Sequence, residues 1–144
     1  MNTRRKSWLK KRVRTKKSLG ELGKYPRLVV YKSNKHFYSQ LLDDNKSITL
    51  CSSSSNDKEL LKSIKGDTKI DVSKKVGHSI AEKITVKKIK KVIFDRNGYK
   101  YHGRVKGFVD AVKEKGIKED DQQLQSWQSL CRALLASNEF IYLE

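Results

Sequence analysis

Lys91–Gly116 reads KVIFDRNGYKYHGRVKGFVDAVKEKG. Lys91-Val92-Ile93-Phe94 is a short apolar run of the kind that forms a buried strand. Val105, Phe108, Val109 and Val112 then recur at i, i+3, i+4 and i+7, the stripe of an amphipathic helix that stops near Gly116. Between strand and helix lies a turn made of Arg96, Asn97, Gly98, Tyr99, Lys100, Tyr101, His102, Gly103 and Arg104. Asn97-Gly98 predicts a tight turn, because both residues tolerate positive φ. Gly103 leaves no side chain where another backbone, protein or nucleic acid, approaches closely. Aromatic rings interleaved with cations on a rigid strand-to-helix turn are what an RNA backbone with exposed bases needs. A surface loop whose tyrosines merely cover the core is the other reading of the same residues.

Working upstream, Val72, Val76, Ile80 and Ile84 line one face of a longer helix that Asp71 would cap. A shorter helix opens at Asn56, with Glu59 as back-bonding partner, and ends before Gly66. Ser52–Ser55 reads as a short polar linker. Before it, Arg27–Lys32 (RLVVYK), His36–Leu42 (HFYSQLL) and Ser47–Cys51 read as three strands, joined at Ser33-Asn34-Lys35 and at Asp43–Lys46. Short connections make these an antiparallel meander. On the second strand His36, Tyr38 and Gln40 share one face, and Phe37, Ser39 and Leu41 share the other. The first set would face RNA and the second the core, although a structural histidine and tyrosine fit equally well. The predicted class is α+β: a small sheet of three or four mostly antiparallel strands in the order βββαβα, covered by helices on one side.

Charge sorts the chain into three pieces. The 144 residues carry a net charge of +17, enough for one domain with a core but not for two, and such an excess favours a polyanionic partner. Residues 1–24 form a basic arm at +9, residues 25–117 a globular domain at +11, and residues 118–144 an extension at −3. Arg4, Arg5, Lys6, Lys10, Lys11, Arg12, Arg14, Lys16 and Lys17 crowd the arm so densely that it is expected to be disordered in isolation and to fold on phosphate. A solvated tail is the bland alternative. In the extension, Leu124, Trp127, Cys131 and Leu134 recur at helical spacing and predict a helix over 122–137, packed on this domain or on a neighbour.

Several chemistries are missing from the sequence. It has no phosphate-binding glycine loop, no dinucleotide fingerprint, no HExxH and no Cys–His ligand cluster, so neither metal nor cofactor is expected. Cys51 and Cys131 match no disulfide framework, which favours a reducing compartment. No apolar run approaches the roughly 18 residues of a membrane span, and no membrane partner is expected. Asp95 and His102, near Arg96 and Arg104, form the one conceivable acid–base set for RNA cleavage. Metal-assisted cleavage needs several convergent carboxylates, and this turn has one. No catalytic residue is therefore assigned, and an RNA-processing nuclease stands as the alternative.

RLVVYKSNKHFYSQLLDD (27–44), VGHSIAEK (76–83) and IKKVIFDRNGYKYHGRVKGFVDAVKEKGI (89–117) resemble the bacterial-type large-subunit ribosomal protein eighteen family. The run from FDR through YHGR is that family's most recognisable signature. The resemblance spans roughly Arg4 to Ile117. It implies a structural, RNA-binding component of the central protuberance, which binds 5S ribosomal RNA and helps attach it to 23S ribosomal RNA. Neighbouring large-subunit proteins, such as protein five, are implied partners. The RNA-facing parts it implies are the arm up to Lys17, the hairpin Lys32, Ser33, Asn34, Lys35 and His36 with Tyr38 and Gln40, and the turn from Arg96 to Arg104. A bacterial cytoplasmic ribosome is the implied location, an organellar ribosome the alternative. Nothing in the resemblance extends to Lys118–Glu144.

Overall fold

A computed structural model describes residues 3–64 and 66–119 of the chain. Strands β1 (Arg27–Lys32) and β2 (Phe37–Asp43) follow the period of two. Leu28 and Val30, then Phe37, Ser39 and Leu41, point into the core, while Tyr31 and Gln40 look outward. β1 pairs antiparallel with β2, and β2 with β3 (Ile48–Ser54), as the short turns require. β3 runs three residues past Cys51, because serines that look like a linker have their polar groups satisfied inside the sheet. The Ser39 hydroxyl donates to the Ser53 carbonyl at 3.2 Å, Ser53 Oγ donates to Ser79 Oγ at 3.1 Å, and Ser55 Oγ accepts from the Phe37 amide at 3.1 Å.

Two helices follow before the next strand: the single turn α2 (Lys58–Leu61) and the long α3 (Lys69–Val86). Their caps lie away from the residues expected. Asp57 precedes α2 in place of Asn56. Thr68 caps α3, accepting from the Asp71 amide at 3.2 Å while its hydroxyl donates to the Asp71 carboxylate at 2.5 Å. Asp71 is thus the third-position half of a capping box, a pattern that a threonine–aspartate pair writes three residues apart. Val76, Ile80 and Ile84 are buried as predicted, joined by Ser73, Gly77 and Ala81.

β4 (Lys91–Asp95) comes out of this helical crossover parallel to β1, and α4 (Arg104–Glu114) leads to the two-residue β5 (Lys118–Glu119), parallel to β4. The sheet order is β3-β2-β1-β4-β5. The class is α+β as expected, with two parallel pairings making the sheet mixed, since a helix-length connection favours a parallel neighbour. Lys118 and Glu119 belong to the sheet and not to the extension. The predicted helix over 122–137 lies outside the described residues.

α3 and α4 cover one face. Val76, Ile80, Ile84, Phe108, Val109 and Val112 pack on Leu28, Val30, Phe37 and Leu41, with the rings of Phe37 and Phe108 5.3 Å apart. Gly77 lets the two helices touch: a Cβ there would lie 2.7 Å from the Phe108 carbonyl oxygen. The first helix, α1 (Thr3–Lys17), is the largest departure from expectation, because the arm predicted to be disordered in isolation is helical here. It lies against the other face of the sheet, where Trp8, Leu9 and Arg12 meet Tyr31 and Tyr99.

One buried ion group joins three segments of the sheet. The Arg27 guanidinium donates to Asp44 from Nε (2.8 Å) and Nη2 (2.6 Å), and to Asp95 from Nη1 (2.9 Å). Breaking a buried pair from one side leaves the other charge uncompensated. Asp95→Ala is therefore expected to destabilise the fold by about 3–5 kcal/mol in urea unfolding, and a loss under about 1 kcal/mol would show the pair to be dispensable.

Hydrogen bonds from Arg27 hold the Asp44 carboxyl below its ordinary value of 3.8, against the opposing effect of burial, and the charges of Arg27 and Lys16 add to the shift. The folded carboxyl is the stronger acid, so its contribution is complete above the unfolded pKa and is lost as pH falls through the folded one. Urea midpoints measured across that acid range should fall more steeply for the native protein than for Asp44→Asn.

Candidate nucleic-acid interface

The turn after β4 is built from its backbone outward. Asn97 and Gly98 take φ of 51° and 79°, the positive values that their sequence predicts, and the Tyr99 amide donates to the Arg96 carbonyl at 2.9 Å. Asn97 is only 7% exposed. Its amide donates to Asp95 Oδ1 (2.8 Å) and its side-chain nitrogen to the Val30 carbonyl (3.2 Å), so this residue anchors the turn to β1. Arg96 donates to the Tyr99 carbonyl at 3.1 Å and braces the loop. Gly103 leads into α4, and a Cβ there would meet no protein atom. Lys100, Tyr101 and His102 project outward, with Tyr101 45% exposed.

The two tyrosines of the turn play different parts. The half-buried Tyr99 hydroxyl donates to the Lys32 carbonyl at 3.2 Å, and its ring stands 6.1 Å from Trp8 and 6.4 Å from Tyr31. Burial, first of all, pushes its phenol upward in pKa. Tyr99 is thus a strut between α1 and β1, and Tyr101 is the ring that faces solvent.

The hairpin is tied to the same place. Arg104 donates from Nη1 to the Ser33 carbonyl at 2.9 Å, and the Ser33–His36 turn closes through the Ser33 amide on the His36 carbonyl at 2.9 Å. Lys32 holds its ammonium 5.2 Å over the Tyr99 ring, and its pKa is lowered by desolvation and then by the charge of Arg104. An approaching phosphate would relieve both penalties. From Tyr99 the rings continue through Tyr31 to Tyr38 (6.0 Å) and on to His36 (6.3 Å), with Gln40 exposed beside them. Lys35 and Asn34 are exposed at the hairpin tip.

α1 completes the surface. Arg5, Lys6, Lys10, Lys11, Arg12, Arg14, Lys16 and Lys17 are all exposed along it, and Arg4 lies in its first turn. Helical spacing puts Lys6, Lys10, Arg14 and Lys17 on the side away from Trp8 and the buried Thr15. The arm, hairpin and turn, far apart in sequence, therefore form one cationic and aromatic surface. Trp8 and Tyr31, which hold it together, escaped the sequence reading. Period-two spacing put Tyr31 on the outward face of β1, but no local pattern reveals that a lone tryptophan in a basic arm meets a tyrosine ninety residues on.

Asp95 is 4% exposed and committed to Arg27 and the Asn97 amide. Among the described residues no group of three or more His, Cys, Asp or Glu is placed to hold a metal ion, and no helix is long and apolar enough to cross a membrane.

Residues 2–119 match the family model described as ribosomal L18 of archaea, bacteria, mitochondria and chloroplasts. The chain belongs to the ribosomal L18 family. It is similar to the large ribosomal subunit protein uL18 of Staphylococcus aureus strain bovine RF122 / ET3-1, at 46% identity over 110 residues, covering 76% of this chain and 90% of that protein. The uL18 proteins of strains JH9 and Newman are 44% identical over the same lengths. The L18 match takes in α1, the hairpin and the turn, and it stops where β5 ends.

The split between the two tyrosines can be checked in this L18 chain without a ligand. Tyr99→Ala should lower the stability of the free protein by about 1–3 kcal/mol, since it removes the support under α1 and the bonds to Lys32. Tyr101→Ala should leave the melting transition within about 0.5 kcal/mol of the native protein. Equal losses would show both rings to be part of the packing.

Proposed function

We propose that this chain is a non-catalytic constituent of the large ribosomal subunit, which binds 5S ribosomal RNA and helps attach it to 23S ribosomal RNA in the central protuberance. The observation that carries the reading is the convergence of arm, hairpin and turn on one surface: Trp8 meets Tyr99, Tyr99 bonds to Lys32, and Arg104 bonds to Ser33. Phosphate neutralisation by the arm supplies affinity, and the exposed rings and polar edges of hairpin and turn supply selectivity. The family membership supports a ribosomal setting, and the bacterial relatives support a bacterial cytoplasmic ribosome. Ribosomal neighbours such as large-subunit protein five, and the net-negative residues 118–144 as a peripheral contact to them, belong to the same reading. A nuclease reading loses its base, because the Asp95 carboxylate is already engaged by Arg27 and by the turn it supports.

The test is 5S ribosomal RNA affinity across a salt series. Replacing Lys6, Lys10, Arg14 and Lys17 together with Gln removes four phosphate partners and should flatten the log–log slope by roughly 3, at about 0.7–0.9 per phosphate. Tyr101→Ala should cost about 1–3 kcal/mol of affinity if a base stacks on it. The RNA should remain intact throughout. An unchanged slope, or no preference for 5S RNA over an unrelated RNA of equal length, would overturn the proposal.

A further inference from the structure

α1 ought not to be a helix on its own. Its fifteen residues include no acid; Arg4, Arg5 and Lys6 stand at the positive end of its dipole; and like charges recur at i, i+4 in Lys6–Lys10, Lys10–Arg14 and Arg12–Lys16. An isolated helix of this length is marginal even with favourable residues. Something in the fold must hold it, and the contacts are specific. Gly98, at φ 79°, offers bare backbone: a Cβ there would lie 2.8 Å from the Arg12 nitrogen, 3.1 Å from its Cα and 3.2 Å from the Lys11 carbonyl carbon. One turn back along α1, the Trp8 ring lies 6.1 Å from Tyr99 and is covered by the Arg12 guanidinium at 5.7 Å. The Trp8 indole nitrogen is enclosed and has no hydrogen-bond acceptor, so the ring is held by its faces alone.

We infer that Gly98 and the Trp8–Tyr99 pair are a seat that folds and positions the cationic arm before any RNA arrives. Gly98 and Trp8 are positioning residues in this inference: they set the geometry of the arm's cations without supplying a charge. The consequence for binding rests on the RNA-binding reading above, whereas the seat itself does not. A seated arm has already lost its conformational freedom, so its ordering cost is not charged to the complex. Unseating it should weaken binding without altering how many phosphates are finally neutralised.

The experiment uses the full chain with Trp127→Phe, leaving Trp8 as the single indole. Without RNA, Gly98→Ala and Gly98→Asn should both red-shift Trp8 emission toward that of the unfolded chain and reduce the far-ultraviolet helical signal. Asparagine tolerates positive φ but still carries a Cβ, so it separates steric exclusion of α1 from backbone strain. With 5S ribosomal RNA as probe, both variants should lose about tenfold in affinity at every salt concentration, at unchanged slope. Trp8→Ala should do the same, Trp8→Phe should restore native behaviour, and Gly98→Ala with Trp8→Ala should be no worse than either alone.

The inference is overturned if Gly98→Asn keeps native Trp8 emission, or if the two substitutions add. Should the Gly98 variants unfold the domain, the Trp8→Ala and Trp8→Phe pair decides: equal emission-independent helicity and affinity in both would sink the seat. Failure of the unaltered protein to bind 5S RNA would defeat the functional reading, while the RNA-free emission and helicity would still judge the seat.

Discussion

The interaction on which the rest depends is the buried contact of Arg27 with Asp44 and Asp95. It joins the first residue of β1, the β2–β3 turn and the last residue of β4, three points that no continuous stretch of backbone holds together. Desolvating these charges is costly, and the cost is offset only because the guanidinium donates to both carboxylates with good geometry. The other oxygen of Asp95 accepts from the Asn97 amide, and Asn97 in turn reaches the Val30 carbonyl. The ion group therefore fixes where the turn begins and which way its cations face. A carboxylate that would look catalytic in isolation is spent on this task.

From that anchored turn the surface spreads by contact. Tyr99 rises beneath α1 and bonds to Lys32; Arg104 reaches the hairpin at Ser33; Gly98 takes α1 onto bare backbone. Each contact brings cations nearer to one another, which is unfavourable without a partner, as the desolvated Lys32 beside Arg104 shows. A structure that gathers like charges is poised for a polyanion: the electrostatic strain accepted in the free protein returns as affinity when counterions and phosphates exchange. The core, covered by α3 and α4 on the opposite face, is insulated from this strain. Substitutions on one face should consequently read out as binding, and on the other as stability.

Much of this was legible in the residues. The alternation of Leu28, Val30, Phe37 and Leu41, and the helical stripe Val105, Phe108, Val109 and Val112, determined the elements and their buried faces, because periodicity records which side of an element meets water. The positive φ of Asn97-Gly98 was also local, since backbone sterics alone select those residues. Charge density determined the class of partner. Tertiary structure decided what depends on residues distant in the chain. That β4 runs parallel to β1 follows from the α3 crossover. That the arm is a helix follows from Gly98 and Tyr99, some ninety residues away, which overcome a local sequence whose like charges disfavour it. That Tyr99 supports while Tyr101 faces solvent follows from where α1 lies. Sequence patterns report the preferences of each segment, but long-range packing and buried ion pairs select which of those preferences prevail, because their free energies exist only once the segments have met.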